Sequence, residues 1–159
     1  MLVESLMVST VMIVVMVIFH FVGLRAIIGL VRRVLGVHLR HGHIAGRTAG
    51  LLAIMLALVA LHAIEIWTYA FVYLAVGAVK DLEEAVYYST SAFGTLGGEN
   101  IIIESQWRLA GAIEGFFGFL LIGLSTAFLV IVIDRLGLLD SLAHAGEKPE
   151  PPARDNVQP

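Results

Sequence analysis

The residues best suited to chemistry lie in a polar segment, DLEEAVYYSTSAFGTLGG, which runs from Asp81 to Gly98 between two long apolar runs. Asp81 is followed three residues later by Glu84, which predicts an N-cap with a capping-box acid and a helix from Leu82 to Phe93 that ends before Gly94. Such a helix has about three turns and is too short to cross a membrane. Its end must be buried in protein or line water, and the partial negative charge of its last carbonyls favours a cation near the membrane centre.

Ionisable side chains also interrupt the apolar runs themselves. His62 and Glu65 lie three residues apart, on one face of the second run. Because an ionisable residue inside a spanning helix is costly, such a pair is a functional candidate. One interpretation is a hydrogen-bonded pair that joins this helix to a neighbour. The other is a proton-sensing pair, since histidine titrates near neutral pH.

The third apolar run carries further polar and flexible positions. We expect Glu114 to support the polar segment through hydrogen bonds to backbone amides or hydroxyl groups. Gly123 is followed by Ser125, and this pattern predicts a hinge, because glycine and hydroxyl residues let a spanning helix bend. Together with Asn100, these residues are predicted to serve pore support or gating.

Composition places these residues in a membrane protein. Hydrophobic residues make up 58% of the chain, compared with about half in a typical soluble domain. The mean hydropathy is correspondingly high, at +0.90. Apolar runs over residues 6–24, 48–79 and 109–133 are each long enough to span a bilayer. They predict helices over residues 4–33, 48–79 and 107–135.

The predicted organisation has three parts. Residues 1–47 hold the first spanning helix and a basic loop, and residues 48–138 form a pore domain of outer helix, short helix, filter and inner helix. Residues 139–159 are rich in proline and charge and are predicted to be a disordered tail. The chain has no internal repeat, so a pore on a symmetry axis needs several copies.

Charge predicts the orientation. Arginines crowd the first connection, whereas the segment before Trp107 is mostly acidic. By the positive-inside rule, the first loop and the C-terminus are cytoplasmic and the N-terminus is outside a cell membrane. The net charge of −3 does not suggest nucleic-acid binding.

Several classes of site are not expected. The chain has no cysteine, which excludes disulfides and thiolate metal sites. His38, His41 and His43 lie without carboxylate or cysteine partners nearby, so we interpret HLRHGH as a basic loop at lipid headgroups rather than a metal site. We recognise no nucleophile and base pair and no phosphate-binding glycine loop, and we predict neither an enzyme nor a bound metal cofactor.

The stretch AVYYSTSAFGTLGGEN resembles the pore helix and filter of potassium channels, whose usual ending reads Thr, Val or Leu, Gly, Tyr, Gly, Asp. With the following helix, QWRLAGAIEGFFGFLLIGLSTAFLV, the arrangement is similar to small bacterial members of the two-helix ion-channel superfamily with an extra N-terminal helix. The likeness covers most of residues 48–135. It implies an all-α integral membrane protein with a re-entrant pore helix, assembled in the bilayer as a homotetramer.

The filter departs from the family pattern. In an ungapped alignment, the first three filter positions match the family pattern. At the next three positions, Gly98 replaces the tyrosine, Glu99 replaces the second glycine and Asn100 replaces the aspartate. A one-residue deletion would instead make Gly98 the second glycine and Glu99 the acidic residue. We favour the ungapped alignment because the distance from Thr95 to Trp107 is then normal for the family. The tyrosine is missing in both.

The resemblance implies a cation pathway. Carbonyl rings from Thr95, Leu96 and Gly97 would replace the water shell of the ion. Glu99 is open to two interpretations: an acidic ring that attracts cations and holds a divalent ion, or a solvated loop acid in a pore without strict selectivity.

The expected function is a passive cation channel, with potassium as the default ion and weak selectivity. An alternative is a non-conducting, channel-like interaction or regulatory protein. A proton-linked transporter using His62 and Glu65 is disfavoured because there is no inverted repeat. No cofactor is expected beyond the cations in the pore.

Overall fold

The computed structural model describes residues 2–35, 44–97 and 103–135. Over these ranges the chain is helical and contains no strand, which confirms the all-α fold class. The helices are α1 (Leu2–Leu35), α2 (Ile44–Ala75), α3 (Leu82–Phe93) and α4 (Arg108–Arg135), with a 3₁₀ turn at Ser105–Trp107 before α4. The predicted tail, residues 139–159, lies outside the described residues, and the division into three parts stays a prediction.

Within the described ranges, three helices are long and apolar enough to cross a membrane, over Leu2–Leu30, Gly46–Ala75 and Ser105–Arg135. The predicted bounds of the second helix are wrong by four residues at each end, since α2 begins at Ile44 and stops at Ala75. It stops because Gly77 takes a φ of 69°. The Gly77 and Ala78 amides then bond back to the carbonyls of Leu74 and Tyr73, which is a Schellman ending.

Helix α1 packs through one stripe of side chains at three- and four-residue spacing: Ser5, Ser9, Met12, Met16, His20, Leu24 and Ile27. This stripe lies against α2 and α4. The approach to α2 is close, since a Cβ added at Gly23 would clash with the side chain of Leu61. The opposite side of α1 is apolar and exposed, as a lipid-facing surface requires.

The short helix α3 lies between α2 and α4. Glycines on α4 make this possible. A Cβ at Gly115 would be 2.8 Å from the Ala92 carbonyl oxygen, and one at Gly118 would be 2.6 Å from that of Phe93. Even an alanine is too large at these positions, so the small-residue face of α4 serves close helix packing.

Candidate functional site

The start of α3 is capped as predicted. Asp81 has extended backbone angles, φ −136° and ψ 168°, and its carboxylate accepts a hydrogen bond from the Glu84 amide at 2.9 Å. The helix has 12 residues, so it is about 18 Å long. That is well short of the roughly 30 Å hydrocarbon core of a bilayer, so α3 is too short to cross it.

The end of α3 is a tight turn with one strained residue. The amides of Thr95 and Leu96 bond at 2.9 Å to the carbonyls of Ala92 and Ser91. Thr95 has a φ of 56°, in a left-handed position that glycine usually occupies. For a β-branched residue this conformation costs about 1–2 kcal/mol. Because such strain clusters at functional sites, Thr95 is a functional candidate on geometry as well as on sequence.

This turn changes one expectation about the cation. Carbonyls of the last turn of α3 accept hydrogen bonds from the amides of Gly94, Thr95 and Leu96. They are therefore engaged within the turn, and less of the helix end is open to an ion than the sequence suggests.

The first three predicted filter residues follow directly. Thr95, Leu96 and Gly97 are exposed in the single chain, and Gly97 has a φ of 77°. An open hollow between α3 and α4 adjoins them, lined by Tyr88, Ser91, Ala92, Thr95, Gly97, Gly111, Ala112, Gly115 and Phe116. The other filter candidates, Gly98 and Glu99, lie outside the described residues, as does Asn100, which is predicted to serve pore support or gating. Both alignments stay predictions.

An outer polar cluster, formed by Glu114, Tyr73 and Ser89, joins α4 to α2 and α3. Glu114 is fully buried and accepts a hydrogen bond from the Tyr73 hydroxyl at 2.7 Å. Its second oxygen lies 2.6 Å from Ser89 Oγ, which is also 2.9 Å from the Ile66 carbonyl oxygen. The single Ser89 proton serves one of these two acceptors. Glu114 thus contacts hydroxyl groups on both neighbouring helices and joins α3 to α2 and α4.

An inner polar cluster, formed by His20, His62 and Glu65, lies on α1 and α2. The Glu65 carboxylate is fully buried, with one oxygen 2.9 Å from His20 Nδ1 and the other 2.9 Å from His62 Nδ1. His20 is also fully buried, and its Nε2 lies 3.4 Å from Ser125 Oγ on α4. The Glu65 carboxylate therefore joins α1 to α2, and α4 contacts the cluster through Ser125 and His20.

His20 is the residue that sequence reasoning missed. Only the fold shows that it faces Glu65, which is 45 residues away. A signal was available, because His20 is the only ionisable residue between Glu4 and Arg25. A lone histidine in the middle of a spanning helix needs a polar partner, and the unsatisfied candidates were on other helices.

The inner cluster touches the end of α3. The His62 ring is 5.5 Å, centre to centre, from the buried ring of Phe93. Phe93 is the last residue of α3 and lies two residues before Thr95. A displacement of His62 would therefore change the packing around Phe93, next to the predicted filter.

The predicted hinge region of α4 is regular. The helix runs without a break through Gly123 and Ser125 to Arg135. A Cβ at Gly123 would meet nothing within 4 Å, whereas Ser125 is buried against His20. The gating role of these residues stays a prediction.

A family model described as an ion channel matches residues 59–135. The matched part begins within α2, includes α3 and ends with α4, so it contains His62, Glu65 and Glu114 but not His20. No curated protein and no solved structure matches the chain.

Proposed function

We propose that this chain is the subunit of a homotetrameric cation channel in the cell membrane. One observation carries the proposal: a capped helix of 12 residues packs between two helices that are long enough to span a membrane, and the strained residue Thr95 follows it two residues later. This feature falls inside the stretch that is similar to ion channels.

The unfinished helix calls for other copies of the chain. Lipid cannot satisfy the backbone carbonyls of Thr95, Leu96 and Gly97, yet these residues are exposed in one chain. Four copies around an axis would surround this loop with protein and let its inner side line water. The open hollow between α3 and α4 would then face a neighbouring subunit.

The proposed ion path begins at an acidic mouth. Asp81, Glu83 and Glu84 are exposed at the start of α3, and their charge would concentrate cations there. With the N-terminus outside and the C-terminus cytoplasmic, this end of α3 faces out. The carbonyls of Thr95, Leu96 and Gly97 would form the inner ion sites.

We propose potassium as the default ion, with weak selectivity. The tyrosine of a potassium filter is replaced by Gly98 and its second glycine by Glu99. Fewer carbonyl rings then remain to distinguish potassium from sodium. In this proposal Glu99 forms the outer acidic ring, where it attracts cations and can hold a divalent ion.

Cation flux into liposomes tests the proposal. The purified protein should admit potassium down its gradient, and Glu99→Gln should reduce this flux at low ionic strength more than at high salt, because salt screens exposed charges. Glu104→Gln, an exposed acid beyond the filter, is the matched control and should have little effect. Properly assembled protein that admits no cation would instead support the non-conducting alternative.

A further inference from the structure

We propose that the inner cluster, His20, His62 and Glu65, is a binding site for a divalent transition metal ion such as Zn²⁺. The proposal concerns a site beside the ion path and is independent of whether the channel conducts. The sequence alone predicts no metal site here, since His62 and Glu65 supply only two ligands and the third comes from α1.

The donor set fits such an ion. One ligand atom from each of the three residues lies within 4.8 Å of the others. Two imidazole nitrogens and one carboxylate oxygen are a ligand set of zinc sites that keep a fourth position open. Bonds of about 2.0–2.2 Å place tetrahedral ligands about 3.3 Å apart. Each Nδ1 lies 2.9 Å from a different oxygen of the Glu65 carboxylate, so to share one ion the two imidazoles must turn toward a common point beside that carboxylate.

The burial of the cluster and the charge of Glu65 both favour a bound metal ion. His20 and Glu65 have no exposed side-chain surface, and His62 retains 17%. A carboxylate in a membrane interior is costly unless it is paired, and a dication offsets its charge. The partly exposed ring of His62 marks the side from which an ion can reach the ligands. Without the ion, both imidazoles can hydrogen-bond to Glu65, so the ligands are already held together.

The surroundings of His20 also suit coordination. If Nδ1 binds the ion, the proton of the ring sits on Nε2, which lies 3.4 Å from Ser125 Oγ. A hydroxyl beside the second nitrogen of a metal-bound histidine orients the ring and selects its tautomer. Ser125 is therefore a positioning residue in this proposal.

An ion at this site would link the helices behind the filter. It would join α1 directly to α2 and, through Ser125, to α4. The site also touches Phe93 at the end of α3 through His62. Because the ion binds the folded assembly, it should raise its thermal stability.

Direct metal binding tests the proposal. The chain has six histidines, and the proposed Glu99 ring can also hold a divalent ion. The background protein therefore carries His38→Asn, His41→Asn, His43→Asn, His144→Asn and Glu99→Gln, and it is purified without a histidine tag. After chelator treatment in an uncharged detergent, calorimetric titration should show one Zn²⁺ per chain. Binding should be lost in Glu65→Gln, His20→Asn and His62→Asn, and weakened about 10-fold in Ser125→Ala.

Thr68→Ala is the matched control. Thr68 lies one turn from Glu65, and its hydroxyl donates to the Ile64 carbonyl of its own helix, so this variant should bind Zn²⁺ as the background does. Should the cluster variants fail to assemble, the background protein itself decides, because Co²⁺ in the site should give the intense absorption of a tetrahedral centre and raise the melting temperature. No binding at micromolar free Zn²⁺, an octahedral Co²⁺ spectrum, or unchanged binding in the assembled cluster variants would overturn the proposal.

Discussion

At the residue scale, two fully buried glutamates hold polar contacts between the helices, and they do so with different partners. Glu114 accepts from hydroxyl groups on α2 and α3, whereas Glu65 faces two imidazoles. Because the partners of Glu114 are hydroxyl groups, we assign its contacts only a role in holding α3 against its neighbours. Because the partners of Glu65 are imidazoles, which are metal ligands, we propose an ion site there and assign the two clusters different roles.

Replacing Glu114 tests its support of α3. In Glu114→Ala, Ser89 can still donate to the Ile66 carbonyl, but the buried Tyr73 hydroxyl loses its acceptor. We expect this loss to lower the free energy of unfolding by about 1–3 kcal/mol. Glu114→Gln keeps an acceptor and should cost less. Thermal melting in detergent is the measurement, and the exposed change Glu83→Ala is the control. Equal melting of Glu114→Ala and Glu83→Ala would show that Glu114 supports nothing.

Thr95 should show a conflict between stability and function. Thr95→Gly relieves the left-handed strain, so we expect the assembly to be stabilised by about 1 kcal/mol. The same change removes a filter hydroxyl and frees the loop, and should reduce cation flux. Thr90→Gly, within α3, should instead destabilise, because glycine weakens a helix interior. A Thr95→Gly protein that is less stable than the wild type would contradict the observed φ.

At the element scale, the contact between α3 and α4 depends on glycine at particular positions. We expect Gly118→Ala to lower the free energy of unfolding by about 1–3 kcal/mol, because the new methyl group would overlap the Phe93 carbonyl. Gly123→Ala is the matched control on the same helix. It has open space and should stabilise α4 by about 0.5–1 kcal/mol.

Both variants can be measured by thermal melting and by flux. If Gly123 is also a hinge, Gly123→Ala should slow opening while it raises stability. A Gly118→Ala protein as stable as Gly123→Ala would mean that α3 and α4 lie further apart than the structure has them.

The same elements show what a sequence can predict. The predicted bounds of α3, Leu82 to Phe93, agree with the structure, because Asp81 and Gly94 are signals within the segment itself. The end of α2 was harder to place, because the apolar residues continue past Gly77 and hydropathy does not report a left-handed turn. His20 could not be paired from sequence, because its contact with Glu65 depends on how α1 packs on α2.

At the scale of the whole molecule, one chain supplies one short helix, α3, followed by three exposed residues, Thr95, Leu96 and Gly97. We therefore expect a tetramer in mild detergent, with a mass about four times that of a single chain. Mass photometry or native mass spectrometry would measure it. A stable monomer whose residues 94–97 are protected from hydrogen exchange would contradict the assembly, because the loop would then be satisfied within one chain.

The central claim is that the segment after α3 conducts cations. The reversal potential of the reconstituted protein in a planar bilayer tests it most directly, first under a gradient of potassium chloride and then with potassium opposite sodium. In the potassium chloride gradient, the account predicts a reversal potential near the equilibrium potential of potassium. With potassium opposite sodium, it predicts a potassium to sodium permeability ratio well below that of a strict potassium channel. A reversal potential near the equilibrium potential of chloride, or the absence of any current from the assembled tetramer, would contradict the claim.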